Sequence, residues 1–512
     1  MKKQVKGLIA LGAAVAMLGG GLIIMKVTEP SDDKSSDSIV EEYTEANGAN
    51  LVLVEDGDHA PGSHTIEEEH FHGLVESVKV TNEHGTMEVV VSNGAKDQSE
   101  ADYVMKGYED IRMKDSVVRM LVSSVNNLVS TSIIEKDCTD FEKFGLGSTA
   151  AVVEVNYASG VTRKLYIGTV APVSNATYVR VEGSDDVYTV SNSSVSYYLE
   201  PAEYYIELIM LSKPAEDAYP KINSLRIERK DIPYDIYLEY GKYAEVSNSG
   251  GSSATHVMVE PVETYLEAGY APDITSGMFG LTAEAVKSVH CTDKDLEEAG
   301  LKEPFCTVTM KCSDGNEYVL LMSEPYMEEG VQKSNAMFKD ANIIFTVKTE
   351  DAKWATVMPD DIASRLLFSS YVWNITELTA TGGGKTETFK LSMRDSSIKS
   401  NEAKQEDVIV KRDDENFDSE RYREFYSYLI NLHAESLVLG DEKAEGEPIA
   451  TVVIKDGLLE TETKYEFYDY TVMKCIVKVD GEFKFFCSKA NADGLIENIG
   501  KISTGETFTE IT

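Results

Sequence analysis

Basic residues are scarce in this sequence. Its 512 residues include 48 lysines and arginines against 88 aspartates and glutamates, which gives a formal net charge of −40 at pH 7. Nucleic-acid binding needs a basic surface that displaces counterions from the phosphate backbone, so nucleic acid is excluded as an expected partner. The same charge would repel an anionic membrane surface. Any attachment to a membrane therefore requires an apolar or covalent anchor.

Cysteine is also scarce, with six residues in the chain and none before Cys138. Six cysteines are too few for a disulfide framework in a chain of this length. Their absence from the N-terminal region excludes a lipid-modified cysteine as an anchor there. Cys475 and Cys487 flank the Asp480-Gly481 turn and are expected nearly opposite each other in a hairpin. This arrangement permits a disulfide, although two half-buried thiols are the favoured prediction.

Motifs for several kinds of catalysis are missing. The sequence has no Gly-x-Ser-x-Gly elbow and no cysteine with an obvious histidine partner. The run Gly382-Gly383-Gly384-Lys385 reads as a hairpin turn, because a phosphate-binding loop needs a strand before it and a helix after it. Carboxylates are so numerous that a pair at any spacing says little about glycosidase chemistry. We therefore predict that the protein is not an enzyme and needs no cofactor, with a hydrolase of unfamiliar type as a distant alternative.

One uncharged apolar run stands out, over residues 7–25, and it follows Lys2, Lys3 and Lys6. As a helix this run would be roughly 28 Å long, close to the thickness of a bilayer core. The lysines place residues 1–6 in the cytoplasm and the bulk of the chain outside it. The sequence therefore predicts a single-pass protein of the cell membrane. A cleaved signal peptide, with 14–16 as its small-residue site, is the alternative.

Residues 26–73 are predicted to form an acidic tether. Between Glu29 and Glu69 they contain one basic residue, Lys34, together with many serines and acidic residues. Such a segment repels itself and stays solvated, so it would hold the folded part away from the membrane. The apolar run 51–54 interrupts the tether and is expected to dock as a short strand.

Histidines cluster towards the end of this tether. His70 and His72 follow three glutamates, and His59, His64 and His84 are nearby. Side chains two positions apart on an extended segment point to the same side, and two imidazoles with a carboxylate can hold Zn²⁺ or another divalent ion. His70 and His72 are therefore the candidate metal ligands. The simpler interpretation is an acidic linker that happens to contain histidines.

A duplicated segment organises the rest of the chain. Five residue pairs share an offset of 155 positions (300 − 145): Gly145 and Gly300, Leu146 and Leu301, Val153 and Val308, Gly160 and Gly315, and Leu165 and Leu320. An offset that holds without a gap across more than twenty residues indicates a repeated supersecondary unit.

Three such units are predicted, and each begins with an alternating hairpin, near residues 74, 222 and 373. A helix is expected to cover each sheet, at about 117–129, 282–289 and 419–432. The predicted fold class is therefore α+β: one N-terminal transmembrane helix followed by repeats at 74–220, 221–370 and 371–512, the last diverged.

Tyrosines are frequent near the ends of the repeats, among them Tyr204, Tyr205, Tyr465, Tyr468 and Tyr470. An amphipathic aromatic surface suits contact with carbohydrate or protein. The alternative is that these are sheet tyrosines with a buried ring and a solvated hydroxyl.

Several short sequence motifs in the repeats resemble those of a known family. They are Phe-Gly-Leu at 144–146, Ala-Gly-Leu-Lys-Glu-Pro at 299–304, Leu-Tyr-Ile-Gly at 165–168 and Val-Tyr-Thr-Val at 187–190. With the N-terminal apolar run, the sequence resembles the bacterial membrane-anchored family catalogued as domain of unknown function 4340, over most of residues 74–355. Members have no assigned enzymatic activity and are often associated with ABC-type export or gliding-motility systems.

The resemblance implies an extracytoplasmic scaffold or accessory protein of an ABC-type transport or cell-envelope assembly. Its expected partners are membrane or envelope proteins, for example an ABC transporter permease. The resemblance implies no site residues. A binding module for an envelope polymer or a divalent metal ion is the alternative.

Overall fold

The computed structural model describes residues 47–65, 73–126, 128–172, 175–242, 244, 255–400 and 402–511. The predicted cytoplasmic residues 1–6, the apolar run 7–25, and His70 and His72 lie outside the described residues. The chain divides into two compact units. The first takes its described residues from Met1–Thr86, Lys96–Glu100 and Val122–Leu199, and the second from Met87–Ala95, Ala101–Leu121 and Glu200–Thr512.

The elements up to residue 199 are strands β1 (Val52–Val54), β2 (Val75–Asn82), β3 (Gly85–Val91), β4 (Tyr103–Met105), β5 (Leu128–Val129), β6 (Ser132–Glu135), β7 (Ala151–Tyr157), β8 (Thr162–Val170), β9 (Ala176–Val181) and β10 (Val187–Ser191), and helices α1 (Asp115–Val125) and α2 (Asn192–Val195). Short 3-10 helices lie at Gln98–Glu100, Glu142–Phe144 and Ser196–Leu199.

The elements of the second repeat are strands β11 (Ile222–Arg229), β12 (Ile236–Tyr240), β13 (His256–Glu260), β14 (Thr264–Tyr265), β15 (Ala285–Val289), β16 (Cys306–Cys312), β17 (Glu317–Met322), β18 (Tyr326–Glu328), β19 (Val331–Phe338) and β20 (Ile343–Lys348), and helices α3 (Ala271–Thr275), α4 (Asp293–Glu298) and α5 (Pro359–Ile362). Single 3-10 turns lie before this repeat at Ala202–Tyr205 and Glu216–Ala218, and within it at Lys353–Ala355.

The elements of the third repeat are strands β21 (Ile375–Gly382), β22 (Lys385–Met393), β23 (Val408–Arg412), β24 (Glu415–Asn416), β25 (Ala434–Leu437), β26 (Ala450–Asp456), β27 (Thr461–Asp469), β28 (Lys474–Val479) and β29 (Glu482–Ser488), and helices α6 (Ser419–Ile430) and α7 (Lys489–Lys501). A 3-10 turn lies at Gln405–Asp407.

The strand order is the same in the second and third repeats. The second sheet runs β14-β13-β12-β11-β16-β17-β19-β20-β15, and the third runs β24-β23-β22-β21-β26-β27-β28-β29-β25. If the eight common strands of each sheet are numbered along the chain, both orders read 3-2-1-5-6-7-8-4 after one added edge strand. In the first unit β2-β7-β8-β9-β10-β6 follow the 1-5-6-7-8-4 part of this order. The repetition is therefore one of topology as well as of sequence.

The glycines that revealed the repeat occupy matching turns. Gly145 and Gly300 both have φ 71°, while Gly160 and Gly315 have φ 92° and 89°. These left-handed conformations strain any residue with a Cβ atom, which explains why both copies have glycine there. The strand residues match as well, because Val153 pairs with Leu165 in the first copy and Val308 pairs with Leu320 in the second.

The α+β prediction is wrong. Strands hold 40% of the residues and helices 18%, and the described strands form four antiparallel sheets, so the protein is mostly β. The region 282–289, predicted as a helix, contains strand β15, which pairs with β20. The helix predicted over 117–129 ends at Val125, because β5 pairs with β1. Short apolar segments fit both helix and strand periodicity, and the available pairing partner decides between them.

The predicted fold class also contained a transmembrane helix, for which the described residues offer no candidate. No described helix combines the length and the apolar character needed to cross a membrane. The predicted span 7–25 is outside the described residues.

The second and third sheets share one apolar core within the second unit. Leu225 and Val308 from the second sheet and Leu378, Phe389 and Val452 from the third are completely buried in the same cluster. Burial of each such side chain stabilises the fold by about 1.5–3 kcal/mol. These two sheets therefore stabilise one another.

The strand predicted at 51–54 is confirmed. Strand β1 is buried and pairs antiparallel with β5 in the first unit. Part of the predicted tether is thus folded.

Candidate functional site

Exposed apolar side chains mark the loop of residues 470–473, which joins β27 to β28. Val472 is 92% exposed and Met473 75% exposed. The Thr471 hydroxyl accepts hydrogen bonds from the backbone N–H groups of Met473 at 3.3 Å and Lys474 at 3.0 Å. The N–H of Thr471 donates to the carbonyl of Lys474 at 2.9 Å. A side chain that caps its own turn in this way holds the backbone in one conformation, so the two apolar side chains are presented to solvent on an ordered loop.

Aromatic and charged groups surround the 470–473 loop. The rings of Tyr470 and Phe486 lie 5.1 Å apart. Lys474 Nζ is 5.6 Å from the centre of the Phe486 ring and 3.7 Å from the Glu435 carboxylate. An apolar centre with aromatic side chains and a charged rim is the usual composition of a protein-binding surface.

Lys489, which lies beside this loop, is kept in its charged form by two carboxylates. Lys489 Nζ lies 3.2 Å from the Asp469 carboxylate and also contacts Asp493. Desolvation opposes the charge of Lys489, but the two carboxylates outweigh it and raise the pKa of the lysine. The Lys489 backbone N–H also donates to the Met473 carbonyl at 2.9 Å, which ties the loop to the start of α7.

The equivalent connection in the second repeat also exposes apolar side chains. It joins the sixth and seventh strands of the sheet, β17 and β19, and contains the additional strand β18, whose Glu328 pairs with Val331 of β19. Glu329 and Gly330 have φ 50° and 83°, as a tight hairpin turn requires. Met327 is 66% exposed on this hairpin. In the first unit Val170, at the end of β8, is 55% exposed where the corresponding connection begins.

Ion pairs brace the base of the 326–331 hairpin. Lys333 Nζ lies 2.6 Å from the Glu284 carboxylate and 2.9 Å from that of Glu328, and hydrogen bonds to these two groups raise the pKa of Lys333. Removal of either carboxylate would leave a mostly buried lysine with a single partner. The hairpin is therefore held in a defined orientation.

A cleft of about 730 Å³ lies in the second unit. Glu267, Asp360, Asp361, Arg365 and His433 line it. Each carboxylate accepts a backbone N–H: Glu267 from Tyr270 at 2.8 Å, Asp360 from Leu437 at 2.7 Å and Asp361 from Met358 at 2.8 Å. The guanidinium of Arg365 donates to the carbonyl of Glu435 at 3.0 Å. These charged groups hold loops together at the boundary of the two repeats.

The candidate metal ligands His70 and His72 lie outside the described residues, so their arrangement stays a prediction. The structure does bring together two of the neighbouring histidines, His59 and His64, with Glu55. His84 lies apart from them and contacts Glu83. Glu55 is the member of this group that the sequence did not identify, because a spacing of four residues brings side chains together only on a helix, and this segment is not helical.

The tyrosine pattern pointed to Tyr470 but not to Val472 or Met473. A usable signal was present here too: two adjacent apolar residues occupy a turn between alternating strands, where polar residues are usual. The structure adds that the connection between the sixth and seventh strands exposes an apolar side chain in more than one repeat.

Residues 104–208 match the model of a family described as "Domain of unknown function (DUF4340)". The match confirms the resemblance to this family over residues 104–208. Comparison with curated proteins gave no match, and comparison with solved structures gave none either.

Proposed function

We propose that the protein is an extracytoplasmic scaffold or accessory protein that serves an ABC-type transport or cell-envelope assembly through protein–protein contacts, since residues 104–208 match the model of the DUF4340 family. The apolar run 7–25 would attach it to the cell membrane, with the bulk of the chain outside the cytoplasm. Its partners would be membrane or envelope proteins such as a transporter permease.

The observation that carries this proposal is the exposure of Val472 and Met473 on an ordered loop. Leaving two adjacent apolar side chains in water gives up the free energy that their burial would provide, about 1.5–3 kcal/mol for each. Methionine adapts its shape to a partner, and aromatic neighbours such as Tyr470 and Phe486 are enriched in interfaces. A protein partner would bury this surface.

The rim of the loop favours a protein over an anionic polymer. The surrounding charges are of both signs, with Asp469 and Glu435 beside Lys474 and Lys489. Paired charges of this kind orient a partner and exclude others more than they add affinity. With a net charge of −40 the whole chain would also repel an anionic polymer.

The test is photo-crosslinking in native membranes, with a crosslinking residue placed at Met473. We expect it to capture a transporter subunit or an envelope protein. Leu458 provides the matched control position, because it is also apolar and exposed but lies in the loop at the opposite end of β27. A crosslinker at Leu458 should not capture the same protein.

Substitution sharpens the test. The double variant V472D/M473D should lose the crosslinked partner, while L458D should keep it, and both should melt within about 2 °C of the unmodified protein because the changes are at exposed sites. Capture of no transport or envelope protein from position 473 would contradict the proposed function.

A further inference from the structure

We propose that Glu55, His59 and His64 form a binding site for a divalent transition-metal ion, for which Zn²⁺ fits best. Glu55 Oε1 lies 3.0 Å from His59 Nδ1, and Glu55 Oε2 lies 3.4 Å from His64 Nε2. The two imidazole rings are 4.6 Å apart. All three candidate ligand atoms lie within 4.8 Å of one another. Two imidazoles and one carboxylate are ligands that Zn²⁺ accepts, with an open position for water.

The spacing of the ligand atoms suits a tetrahedral ion. Zn–N and Zn–O bonds of about 2.0–2.2 Å place neighbouring ligand atoms about 3.3 Å apart. The distances from His59 Nδ1 to Glu55 Oε1 and from His64 Nε2 to Glu55 Oε2, 3.0 and 3.4 Å, are close to this value, and one oxygen would become the ligand when the ion binds. The widest separation, up to 4.8 Å, is too long. The side chain of His59 is 66% exposed and has room to turn inward, whereas that of Glu55 is 12% exposed and held in place.

The backbone brings these residues together before any ion binds. The N–H of Val52 donates to the carbonyl of His64 at 3.0 Å, and the N–H of Gly62 donates to the carbonyl of Val52 at 2.8 Å. An antiparallel bridge joins Leu51 to Thr65. Residues 55–64 thus form a closed loop whose two ends lie side by side. His64 is returned to Glu55 by this closure and not by chance proximity of flexible side chains.

Neighbouring groups hold the candidate ligands in position and are not ligands themselves. Arg163 Nε donates to the backbone carbonyl of Glu55 at 3.3 Å, and its terminal nitrogen donates to the carbonyl of Gly57. The guanidinium therefore fixes the loop through backbone oxygens. The Ser63 hydroxyl lies 3.5 Å from His64 Nδ1, where it can accept the proton of that nitrogen when Nε2 faces a metal. Such outer contacts set the tautomer and orientation of a metal-bound histidine.

The local charge favours a cation. Glu55, Asp56 and Asp58 are three carboxylates within four residues, and Arg163 is the cation that contacts the same loop. A divalent ion would offset the excess of negative charge. It would also join the two ends of the loop that follows β1, and so act as a clamp on the docked N-terminal segment of the first unit.

Zinc binding can be measured on the purified full chain by equilibrium dialysis and metal analysis. We expect one equivalent of Zn²⁺ that E55Q and H59Q bind at least about tenfold more weakly, since even supporting groups of metal ligands change affinity by that factor. The matched control is H84Q, which removes a histidine of the same region that lies outside the cluster. H84Q should bind as the unmodified protein does.

A structural readout separates this site from other sources of binding. Hydrogen exchange of the backbone N–H groups in β1 should slow when Zn²⁺ is added to the unmodified chain and to H84Q, but not when it is added to H59Q. Because the side chain of His59 is exposed, we expect H59Q to leave the loop folded. The double variant H70Q/H72Q should also retain the slowing.

Three results would overturn the proposal. The first is the absence of stoichiometric Zn²⁺ binding by the unmodified chain. The second is equal loss of affinity in H84Q and H59Q. The third is loss of the bound equivalent in H70Q/H72Q with retention in H59Q, which would assign the ion to the histidines predicted from the sequence.

Discussion

The second and third repeats have the same strand order, but the helices that accompany their sheets differ. In each sheet the fifth strand, β16 or β26, alternates buried and less buried residues along its length. The third sheet is accompanied by two long helices, α6 with 12 residues and α7 with 13. In the corresponding part of the second repeat, α3 has five residues. The strand order is therefore the constant part of the repeat, whereas the length of the accompanying helices varies.

The connection between the sixth and seventh strands differs in a second way. In the third repeat it is the short 470–473 loop, whereas in the second it has grown into the 326–331 hairpin. Both forms expose methionine to solvent. The length of this connection changes while an exposed methionine stays, which suits recognition because surface loops tolerate insertion while the sheet below keeps them in position.

The largest expected change in stability comes from a substitution in helix α6, which accompanies the third sheet. Phe425 of α6 is completely buried, and its ring lies 6.1 Å from that of Phe508. We expect F425A to lower the free energy of unfolding by about 3–5 kcal/mol, the usual cost of losing a buried aromatic side chain. Denaturant unfolding followed by circular dichroism would measure it.

The second repeat supplies the control for this change. Ile274 of α3 is also completely buried, and I274V should cost about 0.5–1.5 kcal/mol because it removes one methylene group. A cost below about 1 kcal/mol for F425A would mean that α6 is not an integral part of the shared core.

A smaller effect is expected at the helix N-termini. The side chain of Asp418 accepts hydrogen bonds from the backbone N–H groups of Glu420 and Arg421, at 2.9 and 3.3 Å. D418A should therefore reduce stability by about 1 kcal/mol. The measurement is the melting temperature from scanning calorimetry.

A helix cap at a different position in the second repeat should matter less. Thr292 forms a capping box with Asp295 at the start of α4, a helix with no buried residues. Because α4 contributes little to the core, T292A should lower the melting temperature less than D418A. A larger fall for T292A would show that α4 stabilises the fold in a way its exposure does not reveal.

The smallest change in stability at neutral pH is expected from a substitution of the first residue of the third strand. This residue is His256 in β13 and Val408 in β23. His256 is buried, and its Nε2–H donates to the carbonyl of Ile222 at 2.8 Å. Desolvation lowers the pKa of His256 below its usual value of 6.5, although the bond to Ile222 opposes this. The folded protein therefore keeps this histidine neutral where the unfolded chain takes up a proton.

Protonation of His256 should destabilise the folded protein in acid. Stability from the neutral His256 is fully present above pH 6.5, and it is lost as the pH falls towards the lower pKa of the folded state. H256V, which copies the third repeat, should flatten this part of the pH dependence. Unfolding midpoints at pH 7.5 and pH 5.5 would measure it, and an unchanged difference between them in H256V would assign the acid sensitivity to other groups.

Local sequence predicted much of the repeated architecture. The paired glycines required left-handed turns, and the alternating apolar residues specified strands that the structure confirms. Helix α6 was also predicted, because Tyr422, Phe425, Tyr426 and Leu429 repeat at helical spacing over about two turns and Asp418 caps them. Patterns of this length are unambiguous because the two periodicities diverge over many residues.

The sequence by itself thus determined that the chain repeats, where its turns lie and which stripes are apolar. Tertiary structure alone decided the fate of short segments: β15 and β5 became strands because β20 and β1 offered them backbone partners, and unpaired backbone groups are costly to bury. It also brought His64 back to Glu55 and left Val472 and Met473 exposed. These outcomes depend on contacts between residues distant in the chain, which no local pattern specifies.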